Sequence, residues 1–146
     1  MFFHSVQLIK ADRVAGERST GDQSPMLDSS PAAYDPPLDL VHLSRQCLGD
    51  HELEGELLGM FRLQAQAVVA ELSGSAPLPL QSKARIAHKI CGSALAVGAH
   101  RVAGAASHIE KLASSNGADE SAESLATTEL LSSLAEVLVE IARIRG

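Results

Sequence analysis

The residues with the most chemistry to offer are a histidine and the side chains spaced around it: Arg85, His88, Lys89, Cys91 and Gly92, with Glu110 further along the chain. A neutral imidazole is a nucleophile near neutral pH, and a better one when a carboxylate holds the proton on its other nitrogen. Gly92 lies one helical turn beyond His88, on the same face. A glycine inside a helix costs about 1 kcal/mol relative to alanine, so it calls for a reason. The missing Cβ leaves room for something to approach the ring. A nucleophilic imidazole on an open surface suits attack on a phosphoryl group presented by another protein. Taken singly, the same residues are ordinary: a surface histidine, a glycine where helices cross closely, a small thiol.

A helix has to position them. Ala87, Ile90, Ala94 and Val97 recur at helical spacing and form one apolar stripe, with His88 beside it at the edge of the core. Gly98 ends this helix, roughly 79–97, as a left-handed residue. A further helix runs from about His100 to Ala113, with Val102, Ala105, Ala106, Ile109, Leu112 and Ala113 on its buried side. So short a connection permits only an antiparallel hairpin. Residues facing each other across a hairpin that turns near Ala99 have numbers summing to about 198, which sets Glu110 opposite His88. Its carboxylate would accept Nδ1–H and leave Nε2 unprotonated and outward.

The rest of the chain supplies the scaffold. The 146 residues make one domain with a tail; 45% are hydrophobic and 3% aromatic, which suits helices packed through Leu, Ala, Val and Ile. The formal charge of −6 argues against binding nucleic acid, and no apolar run is long enough to span a membrane. Cys47 and Cys91 give neither a disulfide framework nor metal-ligand spacing. No signal peptide is evident, so the cytoplasm is the expected location. Residues 1–36, rich in Ser, Gly, Asp and Pro, read as a flexible tail, and residues 37–146 as the folded domain.

Within that domain Asp39 caps a short first helix, Gly49 stops it and Asp50 caps a second that runs to about Leu72. Leu53, Leu57, Met60, Phe61, Ala65, Val68 and Leu72 would be its buried side, and Gly55 and Gly59 would let a neighbouring helix approach closely. A last helix spans about 122–144, with Leu130, Leu131, Leu134, Val137, Leu138, Ile141 and Ile144 as its stripe. The expected fold is all-α: an antiparallel four-helix bundle preceded by an extra short helix.

The stretch His88-Lys89-Ile90-Cys91-Gly92-Ser93-Ala94-Leu95-Ala96-Val97-Gly98-Ala99 resembles the H-x-L-K-G-S-x-x-x-L-G-A signature of histidine-containing phosphotransfer (HPt) domains. The resemblance extends over about residues 37–144. It implies a phosphorelay intermediate whose His88 accepts a phosphoryl group from a phospho-aspartate receiver domain and passes it to another. By position, Gly92 is the small residue beside the ring, and Glu110 stands where chemotaxis-kinase members have a glutamate bonded to the histidine. Receiver domains of a hybrid kinase or a response regulator are the implied partners. Magnesium would belong to the receiver, this chain holding no cofactor and acting as a monomer. No nucleotide-binding motif is present, so self-phosphorylation from ATP is not expected.

One departure matters: the family has a lysine three residues after the histidine, and here that residue is Cys91. Lys89 points about 100° away round the helix and serves rather as a docking candidate. Arg85, one turn before His88 and on its face, is the candidate phosphate contact. Lys83, Arg85, Lys89 and Arg101 would make this end of an acidic protein locally basic, around a patch near Leu95 with little bulk. His100 and His108 read as surface polar residues. A metal site of His88, Cys91 and Glu110 lacks a fourth ligand. Two rivals to the relay are a docking module that carries no phosphate and a dimeric bundle resembling kinase dimerisation helices.

Overall fold

The computed structural model describes residues 35–145, so the tail expected over 1–36 lies outside the described residues except at its last two positions. Five helices follow in order: α1 Leu40–Gln46, α2 His51–Leu72, α3 Leu80–Val97, α4 His100–Ser114 and α5 Glu120–Arg145. The described residues contain no strand. Short polar residues start three of these helices by satisfying N–H groups that have no partner in the first turn. The Asp39 side chain accepts from the N–H of His42, and Asp50 from those of Glu52 and Leu53. Asp119 does the same for Ala122 ahead of α5. Pro79 occupies the cap of α3, where it has no donor to lose. Between α1 and α2 the chain reverses through two left-handed residues, Leu48 and Gly49 (φ 53° and 81°), so the stop begins one residue before the glycine.

Helices α2 to α5 close into a ring in which α3 packs on α2 and α4, and α5 packs on α4 and α2. Chain neighbours joined by short loops run antiparallel, which makes the diagonal helices parallel. The side chains agree with that sense: Lys83, near the start of α3, reaches Glu123 and Thr127, near the start of α5. The short α1 lies over α3 and, more lightly, α2.

The core of the bundle consists of one stripe from each of α2 to α5, and α1 adds Leu43 to it. On α3 it is Ala87, Ile90, Ala94 and Val97, as the spacing predicts. Leu58, Phe61, Ala65 and Val68 face it from α2, Val102, Ala103, Ala106 and Ile109 from α4, and Ala126, Leu130, Leu134, Val137 and Ile141 from α5. Alanine recurs in every stripe, so the helices approach closely with little side-chain bulk between them.

Some expected positions differ. Met60 and Leu53 are exposed on α2, because Leu58, Phe61, Ala65 and Val68 already form a complete stripe and Met60 is turned about 100° from Phe61. On α4, Ala103 is buried where Ala113, in the last turn, is only half-buried. Ile144 is partly exposed at the end of α5, while Ser133 is buried with its hydroxyl donating to the carbonyl of Glu129 at 2.9 Å. Gly55 and Gly59 do not admit a neighbouring backbone. A Cβ on either would instead meet the guanidinium of Arg145, which donates to the carbonyl of Gly55 and fastens the end of α5 onto the start of α2.

Candidate functional site

The hairpin of α3 and α4 sets the register of the site. Gly98 adopts φ 85°, and the N–H of the next residue, Ala99, returns to the carbonyl of Ala94 at 2.8 Å, ending α3 abruptly. Two residues later α4 has begun. His88 and Glu110 then face each other across the seam, with Nδ1 of the imidazole 2.7 Å from Oε2 of the carboxylate. The histidine side chain is 79% exposed and the glutamate 33%. A carboxylate can only accept, so Nδ1 carries the proton, and in the neutral ring Nε2 keeps a free lone pair. That nitrogen has no partner among the described residues and stands toward water. Gly92, half-buried, lies one turn further along α3.

Cys91 lies three residues after His88 and is half-buried. Its thiol is directed at the carbonyl of Ala103 on α4 at 3.6 Å. Burial, and secondarily the charge of Glu110, push the thiol above its ordinary pKa, so it is neutral and no substitute for a cation. The sulfur is thereby spent on the helix seam. Among the described residues no three His, Cys, Asp or Glu side chains are grouped to hold a metal ion.

The cations around His88 fall into three groups. Lys83 and Arg101 are neutralised, Lys83 by Glu123 at 3.0 Å and Arg101 by Glu136 at 2.6 Å, so the basic end expected from four residues shrinks to Arg85 and Lys89. Those two line a groove of about 560 Å³ between α2 and α3, together with Gln64, Ala67 and Glu71. Within it the Arg85 guanidinium points back to the Ser82 hydroxyl at 3.4 Å. The third group is Lys111, not singled out by the sequence reading. It is exposed on α4 and shares a shallow hollow of about 350 Å³ with Ser107, Glu110 and Ser114. Its position one residue after Glu110 was a readable signal once the hairpin register was fixed.

The apolar patch expected on the third and fourth helices has little bulk to offer. Leu95 is half-buried, and on α2 Met60 and Leu63 are large apolar side chains 66% and 61% exposed. His108 pairs loosely with Glu129 at 3.5 Å. His100, expected as a plain surface residue, belongs to a cluster. Its Nε2 is 3.4 Å from Asp39, and its ring stands edge-on to His42, with centroids 5.4 Å apart. His42 Nε2 donates to the carbonyl of Leu95 at 2.9 Å. Nothing in the apolar periodicity marked this cluster, because it depends on where α1 lies.

A family model described as Hpt domain matches residues 56–143, more than half of the chain, from the first turns of α2 to near the end of α5. No curated protein and no solved structure matches the chain.

Proposed function

The chain belongs to the Hpt domain family, and from that premise we propose that it is a phosphorelay intermediate whose phosphorylated residue is His88. The observation that carries this reading is the 2.7 Å contact between Nδ1 and Glu110, made by a ring whose other nitrogen is open to a partner.

In the proposed step the lone pair on Nε2 attacks the phosphorus of an aspartyl phosphate held by a receiver domain. The P–O bond to the aspartate breaks, a P–N bond forms, and the aspartate leaves as a carboxylate. The phosphorylated ring retains its Nδ1 proton and is positively charged, and the Glu110 carboxylate stabilises that charge while fixing the ring's orientation. Reversal onto a second receiver's aspartate completes the relay. Magnesium belongs to the receiver's acidic pocket in this scheme. Gly92 leaves the approach clear, while Arg85 and Lys89 present positive charge to the rim of that pocket. Met60 and Leu63 on the neighbouring helix supply the apolar part of a transient interface. We place the chain in the cytoplasm as a monomer; no helix among the described residues is long and apolar enough to cross a membrane.

Incubation with a phosphorylated receiver tests the reading. Wild-type protein should gain an acid-labile, base-stable label, and His88→Gln none. The neutral thiol of Cys91 favours a second reading, a docking module that carries no phosphate. Stable binding of the receiver by wild-type protein with no label on it would establish that instead.

A further inference from the structure

Three residues after His88, where the resemblance calls for a cation, the structure has a neutral thiol turned into the α3–α4 seam. A phosphoryl group arriving on Nε2 brings two negative charges within a few ångströms of Glu110, itself an anion, and the site needs a positive charge to offset them. We propose that Lys111 of α4 supplies it, contacting the phosphoryl oxygens from the side of the seam opposite the usual lysine. The proposal rests on the phosphotransfer reading above and adds a residue to it.

Three observations converge on Lys111. It lines the same hollow as Glu110, whose carboxylate touches the imidazole. Lys83 and Arg101 are already paired with glutamates, while no acidic partner for Lys111 exists among the described residues. Side chains on a helix lean toward its N-terminus and cover the preceding turn. Because α4 runs antiparallel to α3, the preceding turn of Lys111, down to Ser107, lies level with the stretch of α3 from Ala87 to Cys91. That lean would carry its ammonium toward the imidazole. The same rule carries Arg85 away from it, and that guanidinium is indeed directed at Ser82.

Phosphoramidate provides a donor that needs no partner protein: its P–N bond breaks, the amine leaves as ammonia with a proton from water, and phosphorus bonds to Nε2. The label lost in His88→Gln defines the signal from position 88. For Lys111→Ala the labelling rate should fall about fivefold, the effect of one charge at roughly 4 Å in water. The phosphoryl group's own pKa, read by ³¹P NMR titration, should rise by about 0.7 of a unit. Lys111→Arg should restore both, which a loss of packing alone would not allow. An unchanged rate and titration in Lys111→Ala, or a titration moved by Arg85→Ala instead, overturns the proposal. If phosphoramidate labels His88 and Lys111→Ala behaves as expected, but phosphorylated receivers transfer nothing, the relay reading fails and the role of Lys111 stands. Wild-type protein that takes no label at position 88 from either donor disposes of both.

Discussion

Two histidine–carboxylate pairs flank the α3–α4 hairpin, one near its middle and one at its turn, and they have been put to different uses. At the middle, His88 meets Glu110 at 2.7 Å and makes no other polar contact among the described residues. At the turn, His100 meets Asp39 at a looser 3.4 Å, and that carboxylate is also the cap of α1 through the N–H of His42. The His42 ring packs against His100 and donates to Leu95. The groups are chemically alike, so a histidine beside a carboxylate is not by itself a reactive site. What separates the two is how much else each member is doing. Asp39 is shared among a helix cap and a neighbouring ring, and its bonds hold α1 in place. Glu110 is free to serve one imidazole, and that imidazole has a nitrogen left over.

Perturbing each pair sharpens the contrast. The largest effect belongs to the turn. A Cβ on Gly98 would lie 2.7 Å from the Asp39 carbonyl oxygen, at a φ of 85° that disfavours any side chain. Gly98→Ala should therefore destabilise the domain by about 3 kcal/mol, strain and overlap together, seen as a lowered urea midpoint. A midpoint unchanged from wild type would mean that α1 is not seated on the turn.

Next in size, Glu110→Gln keeps an acceptor for Nδ1–H and loses the charge. Phosphotransfer onto His88 should slow about tenfold, the difference between a charge-assisted and a neutral hydrogen bond, with stability little altered. Equal loss of stability and rate would make Glu110 a structural residue, like Asp39.

The smallest effect is a pH dependence at the turn. Partial burial pushes the Asp39 carboxyl up, but the His42 N–H and the adjacent His100 ring outweigh it and hold the group below its ordinary 3.8. A carboxylate depressed in the folded state adds stability above the unfolded pKa and loses it as pH falls through the folded one. Asp39→Asn, an equally good cap, should thus leave the urea midpoint near pH 6 almost unchanged and lessen its fall below about pH 4, by well under 1 kcal/mol for so exposed a pair. An identical acid limb in both proteins would show that the Asp39 charge contributes nothing.

The sequence was most informative where a local rule governs. The 3.6-residue stripe of α3 and a glycine that could only end it were enough to bring residues 88 and 110 to the same level, since both effects act within one hairpin. It was less informative where partners come from a distant helix. Lys83 and Arg101 read as free charge because their glutamates lie on α5, and neither helical periodicity nor capping links those positions. Alanines and serines carry so little hydropathy that Ala103, Ala126 and Ser133 could not be told from surface residues until the neighbouring helices closed over them. Gly55 and Gly59 suggested a closely approaching helix, but what stands over them is the Arg145 guanidinium, in ordinary contact distance of any Cβ there, and only the end of α5 could reveal it. His42 and His100 were invisible as a cluster for the same reason, since the position of α1 is set by tertiary contacts.

The carbonyl of Gly98 has one more implication. It accepts the N–H of Asp39 at 2.9 Å, so the lead-in to α1 is tied to the joint between α3 and α4. An amide held in this way is shielded from water, so the N–H of Asp39 should exchange with solvent deuterium slowly although it precedes the first helix, at a rate set by how often α1 lifts from the turn.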